Sequence, residues 1–474
     1  CYVIRSIVPN GSITYGSLKQ FAIFSRYPEN YGTAISTYQE LQNINNNLSG
    51  YYTLVNDITI PNGTSWSEIG TSSTPFTGTL DGNNKTVFGL SAFASTGNNK
   101  GLFGYNTGTI KNLNVNVSIT MTSVSSSVGG LVGYNTGTIT NCSINGFIFT
   151  NISSSTRFGG LCGTNDSTGI ITYSNSSCYV NGNTQVNICG GFIGQNTGQI
   201  NNCYSTGNVA GYSNCGGFVG YNADTASVNS NINKCYATGN VTNGISYAGG
   251  FVGFYEYFKT GTLIQNSYSS GNVSTVSIGR LGGFVGLIQD SVPGIETAIN
   301  NCYTISVVGS GSITGGFAAE SNSSNCITNS FWNSTTAGVG VGIGSGSASA
   351  GLYSKTTTEL KTVSTFMTVN WHLNFEWDLI EGSYPFLLNE YTKYNKYTTA
   401  FQINNDKDVS LAKSQLTRNI TATDESISVA NSSTFGSTGY LLVDSELIRY
   451  SSNSNNILGG LVRGLSLTTG ATHH

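Results

Sequence analysis

Apolar residues in this chain come in short bursts, not in helical stripes. Residues 190–209 read GGFIGQNTGQINNCYSTGNV, and near-copies recur along the sequence: KGLFGYNTGTIKNLNVNV from Lys100, GGLVGYNTGTITNCSI from Gly129, GGFVGYNADTASVNSNINKCYATGNV from Gly216, and GGFVGFYEYFKTGTLIQNSYSSGNV from Gly249. The anchoring glycines are Gly101, Gly130, Gly160, Gly191, Gly217, Gly250, Gly283 and Gly316, spaced by 29, 30, 31, 26, 33, 33 and 33 residues. Each repeat holds a G-(L/F)-(V/I)-G burst, an I-x-N-C-Y burst and an Asn-Val tail, with Gly, Asn, Ser and Thr between them as turns require. None is long enough to bury a core alone. Stacking removes the difficulty, because each coil pairs its open backbone edges with the next and like residues pile into columns. The pattern predicts an all-β fold, a parallel β-helix or solenoid with one coil per repeat. It would be right-handed, as parallel crossovers nearly always are. Eight repeats about 4.8 Å apart make a rod of roughly 40 Å. A propeller blade needs about 40 residues and four strands, more than these repeats offer.

Elsewhere the pattern changes. Apolar runs at Tyr2–Val8 and Phe21–Phe24 make residues 1–32 a β segment and candidate assembly arm. Ile35–Leu48 reads as a helix, capped by Ser36 or Thr37 with Glu40 near the third position. Asp57 is placed at a strand end and Asp81-Gly82 in a tight turn, not in a catalytic pair. The Gly-rich tract 337–351 reads as a surface loop, and 356–387 as a closing cap anchored by Trp371 and Trp377. The expected organisation is an N-terminal cap with entry coils over 33–98, repeats over 99–336, loop and cap over 337–388, a linker over 389–418 and a small β module over 419–474.

Charge narrows the function classes. Only 9% of the 474 residues are charged and the net charge is −3, which argues against nucleic acid as a partner. No apolar run approaches the length of a membrane span. The chain opens at Cys1, which fits a processed chain, a fragment, or a lipoprotein cut before a lipidated Cys. Leu113, Cys142, Cys178, Cys203, Cys235, Ser267, Cys302 and Ser330 are expected to form one buried column of small or apolar groups. Cys189 and Cys215, each just before a Gly-Gly on adjacent coils, are the candidate disulfide. No C-x-x-C occurs, so neither a metal nor another cofactor is expected. Sequons at Asn47, Asn62, Asn116, Asn151, Asn240, Asn272 and Asn333 are candidate glycosylation sites.

The G-(L/F)-(V/I)-G-x-N-x-G-x-I-x-N-C-Y pattern resembles the GLUG repeat of bacterial surface proteins, including adhesins and the stalks of some immunoglobulin-A-cleaving peptidases. The likeness spans residues 33–388 and implies an extracellular β-helical stalk or adhesive module. LLVDSELIRY followed by GLVRG resembles a small module of phage tail fibres.

Polysaccharide-cleaving β-helices need clustered acids. Asp166, Asp224, Glu256, Asp290, Glu296 and Glu320 fall at unlike places in the repeats, mostly in variable turns, with Arg157 and Arg280 as the only arginines of the repeat region. The expectation is therefore a protein without enzymatic activity: an extracellular stalk, adhesin or filament subunit that self-associates as a filament or homotrimer, with a cell-surface glycan or protein as receptor. A viral tail fibre or spike, and a polysaccharide lyase or hydrolase, are the alternatives. Tyr255, Tyr257 and Phe258, an aromatic insertion in one coil, are the candidate binding residues.

Overall fold

The computed structural model describes residues 32–388, except 94–96, 124, 151–153, 184–185, 225–229, 244, 258–262, 292–297, 370, 372–375 and 380–381, and then 426–428, 439–443, 446–459 and 462–465. The expected arm, apart from its last residue, and the 389–418 linker lie outside these. The chain forms a parallel β-solenoid of about eight turns. Each coil crosses three faces in turn. The first face has eight strands, from Asn99–Lys100 to Ile313–Gly315. The second has nine, from Phe103–Asn106 to Ile343–Gly346. The third is a broader, bent sheet that ends at Leu352–Lys355. Small antiparallel sheets follow, Trp377–Asp378 with Phe386–Leu387 and three-stranded pairings within 426–465.

The Gly-Gly period sets the join between first and second faces. A Cβ on Gly190 would lie 1.9 Å from the Ile193 carbonyl oxygen of its own coil, closer than real side-chain atoms come. Just past the join, each Phe or Leu points inward. Phe192, Phe218, Phe251, Phe284 and Phe317 stack with centroids 4.8–4.9 Å apart. Buried aromatic pairs of this kind add about 0.5–1.5 kcal/mol beyond their area.

Two polar columns run through this apolar interior. The Asn of the G-x-N motif points inward. Asn106, Asn135, Asn165, Asn196 and Asn222 are fully buried, and each donates its amide to the next one's oxygen at 2.7–2.8 Å. Asn222 closes the series on Ser230 Oγ at 3.0 Å. Identical amides at the coil spacing satisfy one another, which is what makes their burial tolerable.

The second column sits at a sharp bend of the third face. Asn112, Asn141, Tyr173, Asn202, Lys234, Asn266, Asn301 and Asn329 all have φ between +47° and +56°. Asn accepts this left-handed conformation best among residues with a side chain. The next residue turns inward and bonds the neighbouring coil: Cys142 N donates to Ser174 Oγ, Ser174 N to Cys203 Sγ, Cys235 N to Ser267 Oγ and Cys302 N to Ser330 Oγ, at 3.0–3.4 Å. The column expected from sequence had Cys178 in it. The structure puts Ser174 there, because Tyr173 occupies the bend in place of Asn.

Several expectations are corrected at the ends. The Gly-rich tract is not only a loop: Ile343–Gly346 adds the last strand of the second face. The helix is shorter than expected. Tyr38–Gln42 is helical and Asn43–Asn46 continues as a 3₁₀ turn, while the Thr37/Glu40 capping box is present. Asp81 accepts from Asn83 N at 2.9 Å, but the chain bends there within one long strand instead of reversing. The 356–387 segment packs on the flank of the rod. Trp371, Trp377, Phe366 and Leu387 cover an outward ladder of Tyr236, Tyr268, Tyr303 and Phe331, with Tyr303 Oη donating to Pro385 O at 2.6 Å.

Three outcomes follow from these columns. Asn165→Ala strips an acceptor from Asn135 and a donor from Asn196, and should cost roughly 2–4 kcal/mol in denaturant unfolding; a change under about 0.5 kcal/mol would show the ladder to be incidental. Tyr173 is exposed, so Tyr173→Asn relieves the bend and should raise stability by roughly 1 kcal/mol; a lower melting temperature contradicts this. Burial pushes the Cys142 and Cys178 thiols up from 9.0 to about 12. Between those values the unfolded chain releases thiol protons that the folded one keeps, so stability falls as pH rises through that window. Alkaline unfolding should begin above about pH 9 and shift upward in Cys142→Ser. A stability that is flat through that range would exclude this linkage.

Candidate functional site

Outward side chains of the first two faces converge into a notch that runs along the rod. The third Gly of GG-F-V-G permits this. A Cβ on Gly194 would lie 2.9 Å from the Arg157 and Phe158 backbone, one coil below. Side chains on either side then touch: Ser127 Oγ meets Thr164 Oγ1 at 2.7 Å, Arg157 Nε donates to Gln195 Oε1, and Arg280, lying over the Tyr247 ring, pairs with Glu320 at 3.0 Å.

On the second face the notch column runs Tyr105, Tyr134, Thr164, Gln195, Tyr221, Phe254. Tyr105 and Tyr134 stack at 4.8 Å, and Tyr221 and Phe254 approach at 5.1 Å. The aromatic column is interrupted for two coils by Thr164 and Gln195. Tyr134 and Tyr221 are thus three coil steps apart, about 14 Å; Tyr134 is stacked on Tyr105 and Tyr221 is tilted against Phe254, and the other sides of the two rings are turned toward Thr164 and Gln195. Arg157 stands beside the gap.

Both tyrosines are oriented by acids. Tyr134 Oη donates to Asp166 Oδ2 at 2.8 Å, while Asp166 Oδ1 accepts from Ser167 N at 2.8 Å and Thr197 Oγ1 at 3.2 Å. Tyr221 Oη donates to Glu256 Oε2, and Ser291 Oγ donates to Glu256 Oε1 at 2.8 Å. Partial burial, then these hydrogen bonds, push both phenols well above their ordinary range. They therefore remain neutral donors across the physiological range. Glu256 and Glu320 lie on strands and not in turns, contrary to the sequence expectation.

The expected binding residues sit elsewhere. Tyr255 and Tyr257 point into the interior and are fully buried. Tyr255 pairs in register with Asn222, an inward position, so alternation carries Tyr257 inward and puts Phe254 and Glu256 outside. Phe258 lies outside the described residues. Cys189 and Cys215 are register partners on adjacent coils and remain free, buried thiols, with Gly211 against both sulfurs. The hydrogen bond to Cys189 and burial raise the Cys215 thiol. Among the sequons, Asn47, Asn62, Asn240 and Asn272 are exposed and Asn116 is half-buried. Asn333 is not a glycan site here, since it is buried and its amide bonds Thr357 and Tyr384. Asn151 lies outside the described residues. Sequence reasoning noted Arg157 and the acids but missed the notch; the period-2 outward positions next to each G-x-N were the available signal.

Residues 124–150 match the model of the GLUG motif family. No curated protein matches the chain. Among solved structures, it resembles a candidate immunoglobulin A1 protease from Bacteroides ovatus at 20% identity and a TM-score of 0.41, over 76% of this chain and 94% of that one. It also resembles an IgA1 protease at 21% identity and a TM-score of 0.39, over 63% of this chain and 21% of that one. The expectation of a protein without enzymatic activity is corrected by this comparison, since both structures bear the name of a protease. The tail-fibre resemblance of the C-terminal module finds no counterpart among these matches.

Proposed function

We propose that this GLUG-motif-bearing solenoid is an extracellular recognition rod that displays the notch between its first two faces to a glycan or protein on another surface. A surface or adhesive role fits a scaffold in which stability comes from internal columns and the outer positions are free to vary. The observation that carries the reading is the interrupted aromatic column. Most outward columns are Asn, Ser and Thr, whereas here two tyrosines, held by partly buried hydrogen bonds to acids, flank a break in the aromatic column beside an arginine. Aromatic and Arg side chains that are fixed in place before binding are the usual anchors of recognition. In this reading residues 419–474 are a separate module carried by the rod.

Binding of the purified chain to glycan and receptor-protein arrays tests this. Tyr134→Ala and Tyr221→Ala should each weaken the dominant interaction by about tenfold or more, with unfolding curves close to wild type. Undiminished binding by both variants would remove the notch from the function.

A further inference from the structure

We infer that the gap between Tyr134 and Tyr221 takes an acidic sugar, whose carboxylate is received by Arg157; this rests on the notch reading above. The charged groups along the notch differ in the bonding capacity they have left. Each oxygen of Asp166 and Glu256 already accepts at least one hydrogen bond from the protein. Arg157 differs. Among the described residues its one side-chain hydrogen bond runs from Nε to Gln195 Oε1, and it makes no ion pair. That bond fixes the guanidinium and leaves its terminal NH₂ groups as a planar pair of donors. A carboxylate matches such a pair with two parallel hydrogen bonds, a fit that a lysine ammonium lacks.

The surroundings select a sugar as the carrier of that carboxylate. The facing rings stand about 14 Å apart, and Thr164, almost fully buried, and Gln195, half-buried, form the floor between them, so a pyranose would lie across that floor with the rings at its ends. Thr164 Oγ1 is taken by Ser127 and Gln195 Oε1 by Arg157, which leaves the Gln195 Nε2 amide as the donor for a ring hydroxyl. Tyr134 and Tyr221 present apolar ring faces at either end for the C–H surfaces of a pyranose, and their hydroxyls are fixed by acids, so little side-chain entropy is lost on binding. Ile188 adds an apolar wall: its Cγ2 lies 2.8 Å from where a Cβ on Gly220 would stand, beside Tyr221.

The test uses matched oligosaccharides that end in either glucuronate or glucose, which differ by a carboxylate in place of a hydroxymethyl group. Titration calorimetry against the full chain should show the glucuronate form bound about tenfold more tightly or better. Arg157→Gln should abolish the preference, and Arg157→Lys should retain part of it. Tyr134→Ala should weaken both sugars alike and leave their ratio unchanged. A preference that survives in Arg157→Gln, or equal binding of both sugars by wild type, overturns the acidic-sugar assignment. If equal binding is still lost in Tyr134→Ala, the notch reading stands without it; if neither sugar responds to any of these variants, both fall. Unfolding curves matching wild type for Arg157→Lys keep the result independent of any folding defect in Arg157→Gln.

Discussion

A strand in a parallel coil has two open backbone edges, and both must be paired by other coils. This requirement fixes the rest of the molecule. Once coils stack in register at one strand spacing, every position becomes a column, and an inward residue fits best where it stacks on copies of itself or near-relatives. Phe on Phe and Tyr on Tyr meet the condition through apolar contact. Buried Asn meets it because an amide is donor and acceptor at once. Cys and Ser share one column because a sulfur and a hydroxyl can both accept the neighbouring coil's N–H.

Register also accounts for the exceptions. The Asn ladder stops at Tyr255, where Ala298 O takes the tyrosine hydroxyl at 3.2 Å. Lys234 stands in the left-handed bend where Asn is preferred, and its ammonium reaches Glu376 at 2.5 Å, so a strained backbone position also holds the flanking segment. At the lower end Lys100 is fully buried against Glu68 at 2.6 Å. Such a pair is costly to break by removing one partner and adds little over an apolar plug. The notch belongs to the same logic. Its walls are columns too, but they face solvent and need not repeat, so Thr164, Gln195 and Arg157 can interrupt an aromatic run without disturbing the coils.

The period, the solenoid and the piling of like residues into columns were legible in the sequence because glycines and apolar bursts recur at nearly constant spacing. The Asn ladder was not, since Asn between glycines reads as a turn residue and only the pairing of coils shows that Asn165 faces inward. The cysteine column was read almost correctly, and failed at Cys178 because the bend there is made by Tyr173. The flank position of Trp371 and Trp377 depends on which face of a tyrosine column is left open, and no local signal encodes that. The candidate site was hidden for a related reason. Tyr134, Arg157 and Tyr221 come from three different repeats, and they share a notch only because a glycine lets two faces approach.

Among the described residues backbone pairing runs on from coil to coil, with register shifts at Ser154/Arg157 and within Thr79–Leu90. Hydrogen–deuterium exchange of the native chain, resolved along the sequence, tests it most directly. The account predicts continuous strong protection from Thr109–Met121 through Ile327–Thr328 on the third face, declining only toward the two ends. Protected and freely exchanging blocks that alternate at the repeat period would mean that neighbouring coils are not paired, and would contradict it.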